Sequence, residues 1–463
     1  MSEELKERKE ALFASHKNGY DRLSAADEAA MAEYCEKYAD FLRRGKTERL
    51  CVRRAVTLAQ ARGFRPYTRG EKLHAGDKIY YVNREKNITL AVVGQQPLAQ
   101  GVCIAAAHID SPRLDLKPNP LYEDSELAYF KTHYYGGIRK YQWVTIPLML
   151  CGVIALKDGG IIDVALGEGN EPKFVITDLL PHLGGEQGKK PLSEAIPAES
   201  LNILLGSRPV AGEDSDRVKL TVMEKLHEKY GITEEDFISA ELEAVPALDV
   251  TDIGLDGSLM GAYGHDDRVC AYAAFQAILE TEMPQRTAVC VLVDKEEIGS
   301  MGVTGMQSAA FDTFMADLCD SLEANVRTCY ENSFCLSADV TAAYDPNFSE
   351  VFDKKNAAFL NHGIGLCKYT GARGKSGASD ANAETVAYVR RVLDGAGTVW
   401  QMAELGKTDL GGGGTVAQFM ANRNITTLDA GVPVLSMHAP FEVVAKLDCY
   451  MTYKACKALF QAE

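Results

Sequence analysis

Short apolar runs and segments with helical periodicity alternate along much of the chain. Near its start, "DKIYYVN" and "NITLAVVG" predict a β-hairpin, and "GVCIAAA" predicts a strand that is covered on both faces. Two helices precede them. The first begins after Ser24 with a capping-box spacing to Asp27, and the second covers residues 47–62 and ends at Gly63.

The same alternation returns after Asp266. It predicts helices over 267–280, 308–325 and 379–393, strands over 286–293, 333–337 and 433–437, and a final helix. Strands that alternate with helices are typical of a mostly parallel or mixed sheet with helices on both faces. The predicted fold class is therefore α/β, with a sheet sandwiched by helices.

Residues 117–250 have a different pattern, rich in glycine and proline, with short β-like pieces at 143–150, 173–176 and 217–223. The regular alternation of strands and helices is missing from this pattern. We therefore predict a discontinuous main domain, residues 1–116 and 251–463, that is interrupted by a smaller β-rich domain over 117–250.

Composition narrows the class of protein. The chain has 463 residues, 46% hydrophobic and 25% charged, with a net charge of −16, and no basic run that would favour nucleic-acid binding. The opening "MSEELKERKEALF" lacks the apolar core of a signal peptide, and no run approaches a membrane span, so we expect a cytoplasmic protein without a membrane partner. Twelve cysteines without a CxxC pair predict buried, reduced thiols.

Side chains that can bind metal follow the predicted strands where those strands end. They are His108 and Asp110 after "CIAAA", Glu296 and Glu297 after "VCVLVDK", Asp339 after "FCLSA" and His438 after "VPVLSM", with Asp266 at the start of a helix. In an open α/β sheet, ligands bind beyond the carboxyl ends of the strands. Two imidazoles and three carboxylates suit zinc, cobalt or manganese, and five protein ligands suit two ions better than one.

The remaining polar groups have distinct expected roles. Asp110, two residues after His108, can accept the second ring hydrogen of that histidine and fix its tautomer. Consecutive residues that leave a strand point in different directions, so one of Glu296 and Glu297 can bind metal while the other lies beside the metal-bound water.

Seven segments resemble, in the same order, the M18 family of dinuclear zinc aminopeptidases. They are "AAHIDSPRLDLKPNP", "YGHDDRVCAYAAF", "VDKEEIGSMGVTG", "SADVTAAYDPNF", "GKSGASDANAE", "GGGGTVAQF" and "GVPVLSMHAPFE". The resemblance implies two zinc ions, one held by His108, Asp266 and Asp339, the other by Asp266, Glu297 and His438. It also implies that Asp266 bridges the ions and that Glu296 is the general base for the bridging water.

The resemblance further implies the partners. Substrates would be peptides with a free amino terminus, whose first residue is either acidic or neutral to hydrophobic, and Lys375 is a candidate substrate contact. The β-rich domain would form dimers that assemble into a tetrahedral dodecamer. In that assembly His182 of "LLPHLGG" would reach the active site of a neighbouring subunit.

Two other functions are compatible with the residues. A dinuclear amidohydrolase that acts on acylated amino acids would share the inserted domain and the two-metal site. A catalytically silent assembly protein would keep the fold alone. The complete ligand set and Glu296 favour an enzyme, and the detailed motifs favour the aminopeptidase.

Overall fold

The computed structural model describes residues 3–14, 17–212 and 214–462. Its α-helices are α1 (Glu3–Leu12), α2 (Ala25–Arg44), α3 (Glu48–Ala61), α4 (Leu192–Ala195), α5 (Arg217–Tyr230), α6 (His265–Leu279), α7 (Ala310–Ser321), α8 (Val326–Glu331), α9 (Ala383–Gly395), α10 (Ala417–Ala421) and α11 (Lys446–Phe460). Its strands are β1 (Arg65–Pro66), β2 (Lys78–Asn83), β3 (Asn87–Val92), β4 (Cys103–His108), β5 (Arg113–Asp124), β6 (Leu127–Tyr135), β7 (Leu148–Ala155), β8 (Ile161–Leu166), β9 (Ile203–Gly206), β10 (Ala240–Pro246), β11 (Thr251–Ile253), β12 (Leu259–Ala262), β13 (Ala288–Val293), β14 (Phe334–Ser337), β15 (Thr341–Ala342), β16 (Ile364–Cys367), β17 (Gly371–Ala372), β18 (Trp400–Met402), β19 (Gly412–Gly413), β20 (Thr426–Gly431), β21 (Pro433–Leu435) and β22 (Glu442–Ala445).

The first long helices begin at the caps that the sequence predicts. The Ser24 side chain accepts a hydrogen bond from the backbone N–H of Asp27, and the Asp27 carboxylate accepts one from the backbone of Ser24. Thr47 caps α3 in the same way through its hydroxyl. Gly63 follows α3 with φ at +85°, a conformation that glycine adopts without steric cost.

A nine-stranded mixed sheet lies at the centre of the molecule, in the order β1-β2-β3-β13-β4-β14-β20-β16-β18. The strands β13, β4, β14 and β20 are parallel neighbours, with antiparallel β3 and β16 on either side. Alternate residues of β4 enter two separate cores: Ala105 packs with α2, α6 and α11, whereas Ile104 packs with α7 and α10. Helices therefore cover both faces, which confirms the predicted α/β class.

A second, antiparallel sheet has the order β8-β7-β10-β5-β6-β9, and its strands all lie between residues 113 and 246. It has its own core around Trp143, Phe130 and Leu150. This β-rich region corresponds to the predicted insertion, whose boundaries at 117 and 250 stay a prediction.

Within this region, the β-like piece predicted over 217–223 was wrong. Residues 217–230 form helix α5, in which Val218, Val222 and Leu226 recur every fourth residue; Val218 and Leu226 are buried, and Val222 and Leu226 pack in the core of the second sheet. That spacing is helical, whereas the short window "RVKLTVM" resembles a strand because of its β-branched residues. The strand predicted over 143–150 begins only at Leu148.

A third sheet, β11-β12-β22-β21-β15, contains the strand that precedes His438. We expected residues 433–437 to form a strand of the central sheet, and this was wrong. The central strand in this part of the chain is β20, which ends at Gly431, and β21 joins the third sheet. A short apolar run predicts a strand without indicating which sheet it joins.

All twelve cysteines are free and buried, which confirms the prediction from their spacing. Within the described ranges, no helix combines the length and apolarity needed to cross a membrane.

Candidate metal centre

Three neighbouring strands of the central sheet end side by side at the candidate site. Val293 of β13 lies opposite His108 of β4, and Ser337 of β14 lies opposite Ala106 of the same strand. The glutamate pair follows β13 and Asp339 follows β14, so the parallel register brings these side chains to one edge of the sheet.

Asp266 lies between the two candidate histidines. Its Oδ1 is 3.2 Å from Nε2 of His108, and its Oδ2 is 3.1 Å from Nε2 of His438. Nε2 of His438 is also 3.5 Å from Oε2 of Glu297, and Nε2 of His108 is 4.0 Å from Oδ1 of Asp339. The structure thus brings together all five side chains that the sequence proposed as ligands, although His438 arrives from the third sheet.

The adjacent glutamates diverge because the chain turns tightly at this point. Lys295 has φ at +68°, residues 296–298 form a single 3-10 turn, and Gly299 has φ at +93°. The Glu297 side chain is 3% exposed, whereas that of Glu296 is 18% exposed. Oε2 of Glu296 lies 4.0 Å from Nε2 of His108. One carboxylate is therefore enclosed, and the other borders open space.

Asp110 contacts both the histidine and the glutamate turn. Nδ1 of His108 lies 3.0 Å from the backbone oxygen of Asp110 and 3.3 Å from its Oδ1. The backbone N–H of Glu296 donates to Oδ1 of Asp110 at 3.1 Å, and that of Glu297 donates to Oδ2 at 3.2 Å. Asp110 thereby ties the end of β4 to the turn after β13.

Two overlapping groups of donor atoms can hold a metal ion. They are His108, Asp267 and Asp339, and His108, Asp266 and Glu297, with the donor atoms of each group within 4.8 Å of one another. Asp267 was not predicted as a ligand; its Oδ2 accepts the backbone N–H of His108 at 3.3 Å. Oε1 of Glu297 and Oδ1 of Asp267 are buried and lack a hydrogen-bond partner among the described residues. Nitrogen and oxygen donors with spare acceptor capacity fit zinc.

Electrostatics also favour a cation. Burial raises the pKa of Glu296 to about 7, and it raises the pKa values of Glu297 and Asp339 well above the usual carboxyl range. Burial disfavours the charged form of His438, but its hydrogen bond to Asp266 and the nearby Glu297 outweigh this effect and raise its pKa to about 10. A bound cation would favour ionised carboxylates and neutral imidazoles instead.

Sequence reasoning missed the role of Glu442, which is 1% exposed. Its Oε2 accepts the backbone N–H of Asp266 at 3.0 Å, and its Oε1 accepts that of His438 at 2.7 Å. One buried carboxylate thus fixes the backbone of two candidate ligands. The available signal was its position four residues after His438, in the segment "MHAPFE".

The site opens into a cavity of about 780 Å³. Its opposite side is formed by residues 369–375 and 404–415, which are rich in glycine and include Lys375. Nζ of Lys375 pairs with Oδ2 of Asp380 at 3.0 Å and lies 4.0 Å from the centre of the Tyr369 ring. His182 is exposed and is not one of the described residues that line this cavity.

Comparisons with known proteins agree with this arrangement. The family described as "Aminopeptidase I zinc metalloprotease (M18)" matches residues 41–460. A probable M18 family aminopeptidase 1 of Clostridium acetobutylicum is 48% identical over 451 residues, which cover 95% of this chain and 97% of that protein.

Solved structures agree as well. An M18 family aminopeptidase from Thermotoga maritima has a TM-score of 0.92 and is 41% identical, with 97% of this chain and 100% of that chain covered. A structure of the S. cerevisiae mApe1 dodecamer shares the fold, with a TM-score of 0.74 and 21% identity over 92% of this chain and 95% of that one. The chain therefore belongs to the M18 family of aminopeptidase I zinc metalloproteases and is a metalloaminopeptidase.

Proposed function

We propose that the protein removes the amino-terminal residue from peptides at a centre that holds two zinc ions. The position of Asp266 is the observation that carries this proposal. Its two oxygens face different imidazoles, at 3.2 and 3.1 Å, and one carboxylate oriented in this way can bridge two ions.

His108, Asp266 and Asp339 would hold one ion, and Asp266, Glu297 and His438 the other. Asp267, which lies near His108 and Asp339, is an alternative ligand on the first side. Bound zinc would supply a Lewis acid that polarises the scissile carbonyl and a positive charge that receives the free α-amine. Cobalt or manganese could replace zinc, because the donor set contains no thiolate.

Glu296 is proposed as the general base. It takes a proton from the water that attacks the scissile carbonyl and delivers it to the leaving nitrogen when the C–N bond breaks. The turn that places Glu297 inward leaves Glu296 facing the cavity, which supports separate roles for the two acids. Asp110 positions Glu296 through the backbone N–H of the turn.

The other side of the cavity is proposed to select the substrate. Lys375 would contact the amino-terminal side chain, and the preference would be either acidic or neutral to hydrophobic. Its present pairing with Asp380 leaves its positive charge partly neutralised, so both preferences are compatible with the contact.

The assembly is proposed to be a homo-oligomer built from dimers, with a tetrahedral dodecamer as the final form and His182 contributed to a neighbouring active site. The related S. cerevisiae dodecamer supports this proposal. Leu179, Leu180 and Leu183 flank His182 and are 54%, 49% and 69% exposed, and large exposed apolar side chains at one loop favour a protein interface.

Hydrolysis of aminoacyl-nitroanilides and free peptides tests the chemistry. Activity should disappear with a chelator and return with two equivalents of zinc per subunit. Glu296→Gln should lower kcat by about 100- to 10,000-fold, the usual contribution of a general base, while zinc content is retained. Glu331→Gln, an exposed glutamate at the end of α8, is the matched control and should behave as the parent.

Three results would contradict the proposal in different ways. Activity that survives complete removal of metal by the chelator would exclude the two-metal mechanism, and full activity of Glu296→Gln would exclude Glu296 as the general base. Hydrolysis of acetylated substrates alone would indicate an amidohydrolase. A protein that is inactive on both kinds of substrate with zinc bound would indicate an assembly role.

A further inference from the structure

We propose that the segment Tyr135–Gly137, where β6 of the second sheet ends, positions the catalytic groups within the same subunit. This inference rests on the proposed function, because it assigns these three residues a role through Glu296, Glu297 and His438. It gives the β-rich region a task in its own active site, in addition to any contact with other subunits.

Tyr135 acts on the site through Asp110. Its hydroxyl donates to Oδ2 of Asp110 at 2.8 Å, and Tyr135 and Asp110 are 8% and 0% exposed. The same carboxylate accepts the backbone N–H groups of Glu296 and Glu297. The phenol of Tyr135 therefore holds the Asp110 carboxylate in place, and that carboxylate holds the turn of Glu296 and Glu297. A hydrogen bond to a buried charged carboxylate is stronger than one between neutral groups.

The Tyr135 ring is itself held from the other side. The guanidinium of Arg113 lies 3.8 Å from the ring centre, and Arg113 stands opposite Tyr135 in the pairing of β5 with β6. Arg113 is 6% exposed and pairs with Asp115 at 2.8 Å, Glu243 at 3.3 Å and Glu48 at 3.6 Å. A buried cation bound to three acids has little freedom, so the aromatic ring beneath it is fixed as well.

The two glycines that follow approach the candidate ligands directly. The backbone oxygen of Gly137 lies 3.1 Å from Nδ1 of His438. When this carbonyl accepts the hydrogen on Nδ1, the other ring nitrogen, Nε2, carries no hydrogen. Nε2 faces Asp266 and can then bind a metal ion.

The close approach also explains why small residues stand here. A Cβ added at Gly137 would lie 3.2 Å from Nδ1 of His438, and one added at Gly136 would lie 3.3 Å from Cβ and Oε2 of Glu297. Gly136 also has φ at +77°, a conformation that residues with a side chain rarely adopt. The segment thus contacts Asp110 and His438 through two hydrogen-bond distances, and it passes so near Glu297 that a side chain on Gly136 would meet that residue.

Tyr135→Phe in the zinc-loaded enzyme tests the phenol. It should lower kcat by about 10- to 100-fold, the usual effect of losing a group that orients a metal site, with KM and zinc content unchanged. Tyr134→Phe is the matched control, because Tyr134 precedes it in β6, is 41% exposed and should leave kcat unchanged.

A double variant separates positioning from general damage to the fold. If Tyr135 acts through Glu296, then Tyr135→Phe combined with Glu296→Gln should be no slower than Glu296→Gln alone. Fully additive losses would overturn the proposed route from Tyr135 through Asp110 to Glu296, because they would indicate an effect that does not pass through Glu296.

Gly137→Ala tests the second contact without relying on activity. The variant should release zinc to a competing chelator at lower chelator concentration than the parent, since the added methyl group displaces His438. Gly395→Ala, at the exposed end of α9, where an added Cβ meets no atom within 4 Å, is the control. Equal zinc retention in both variants would overturn this part.

These outcomes differ from a failure of the proposed function. A parent enzyme without zinc-dependent aminopeptidase activity would refute the function itself. A parent enzyme that is active, combined with Tyr135→Phe at the parental kcat, would refute the inference alone.

Discussion

The two walls of the cavity are held in different ways. The sheet wall comprises the candidate ligands and Glu296, and its backbone is fixed by buried hydrogen bonds that the carboxylates of Glu442 and Asp110 accept from backbone N–H groups. The loop wall comprises residues 369–375 and 404–415, where β17 pairs with β19. There a Cβ on Gly412 would lie 2.0 Å from the backbone oxygen of Gly371, so the two strands pack backbone against backbone.

This difference indicates a division of tasks. Groups that must meet reacting atoms are placed by the ends of strands, which are rigid, whereas groups that meet the variable substrate side chain lie on loops. One buried residue connects the loop wall to the central sheet: the Thr415 hydroxyl donates to the carboxylate of Asp429 in β20, at 2.9 Å from Oδ1 and 3.0 Å from Oδ2. Changes in the sheet wall should therefore affect kcat and metal binding, and changes in the loop wall should affect KM.

The largest effect should follow Asp266→Asn, in the sheet wall. Removal of the charge that faces both imidazoles should reduce zinc to less than one ion per subunit and kcat/KM by at least about 1,000-fold, since bound metal contributes several kcal/mol to transition-state stabilisation. Metal analysis of the dialysed protein and steady-state kinetics measure both. Asp320→Asn, on exposed α7 surface, is the control, and two retained zinc ions in Asp266→Asn would contradict the bridging role.

Asp429, which is bonded to Thr415 of the loop wall, should make the free energy of unfolding depend on pH. Burial raises the pKa of Asp429 to about 6, against the opposing effect of the hydrogen bond from Thr415. Because this value exceeds that of the unfolded chain, the contribution of Asp429 to stability is complete below about pH 4 and is lost as pH rises through about 6. The loss amounts to roughly 3 kcal/mol for a shift of about two units.

Urea unfolding of the parent and Asp429→Asn at pH 4 to 8 measures this contribution. The free energy of unfolding of the variant, relative to that of the parent, should increase between pH 4 and 7 and stay constant above. A constant difference over the whole range would indicate that Asp429 is ionised throughout and is not the buried link between the loop wall and the central sheet.

A moderate effect should follow Thr415→Val in the loop wall. The change removes a hydrogen bond to a carboxylate, a contact worth about 1.5–3 kcal/mol, and should raise KM about tenfold with a smaller change in kcat. Thr313→Val on exposed α7 is the control. A fall in kcat with KM unchanged would remove the distinction between the two walls.

The smallest effect should follow Lys375→Met. Its side chain and that of its partner Asp380 are each 43% exposed, and such pairs contribute about 0–1 kcal/mol. KM for substrates with an acidic first residue should therefore rise no more than about fivefold, and KM for neutral ones should stay constant. Lys189→Met, in an exposed ion pair with Glu186, is the control. A much larger loss confined to acidic substrates would make Lys375 the main specificity residue.

The sequence predicted the candidate ligands of the sheet wall better than the residues that hold them in position. His108, the glutamate pair and Asp339 follow apolar runs that are long enough to be read as buried strands, and parallel strands bring such ends together. The prediction that the strand before His438 joins the central sheet was wrong. The central-sheet strand in this part of the chain is β20, which contains Asp429 and two threonines and therefore does not resemble a buried strand in sequence.

Tyr135 carried no local pattern, and Glu442 carried only its position four residues after His438. Each acts on a residue that is distant in sequence or belongs to another strand, and such contacts are set by tertiary packing alone. The helix over 217–230 was missed for a different reason. The β-branched residues of the short window 217–223 favour a strand, and the helical spacing is visible only over the whole segment.

The chain passes from the central sheet to the second sheet through residues 109–112 only, between the end of β4 at His108 and the start of β5 at Arg113. This short crossover has a consequence for protein engineering. An exchange of the β-rich region between relatives must preserve a contact across this junction, because Asp110 lies inside it and Tyr135 lies on the exchanged side. Chimaeras should retain activity only when an aspartate at position 110 still meets a tyrosine at position 135.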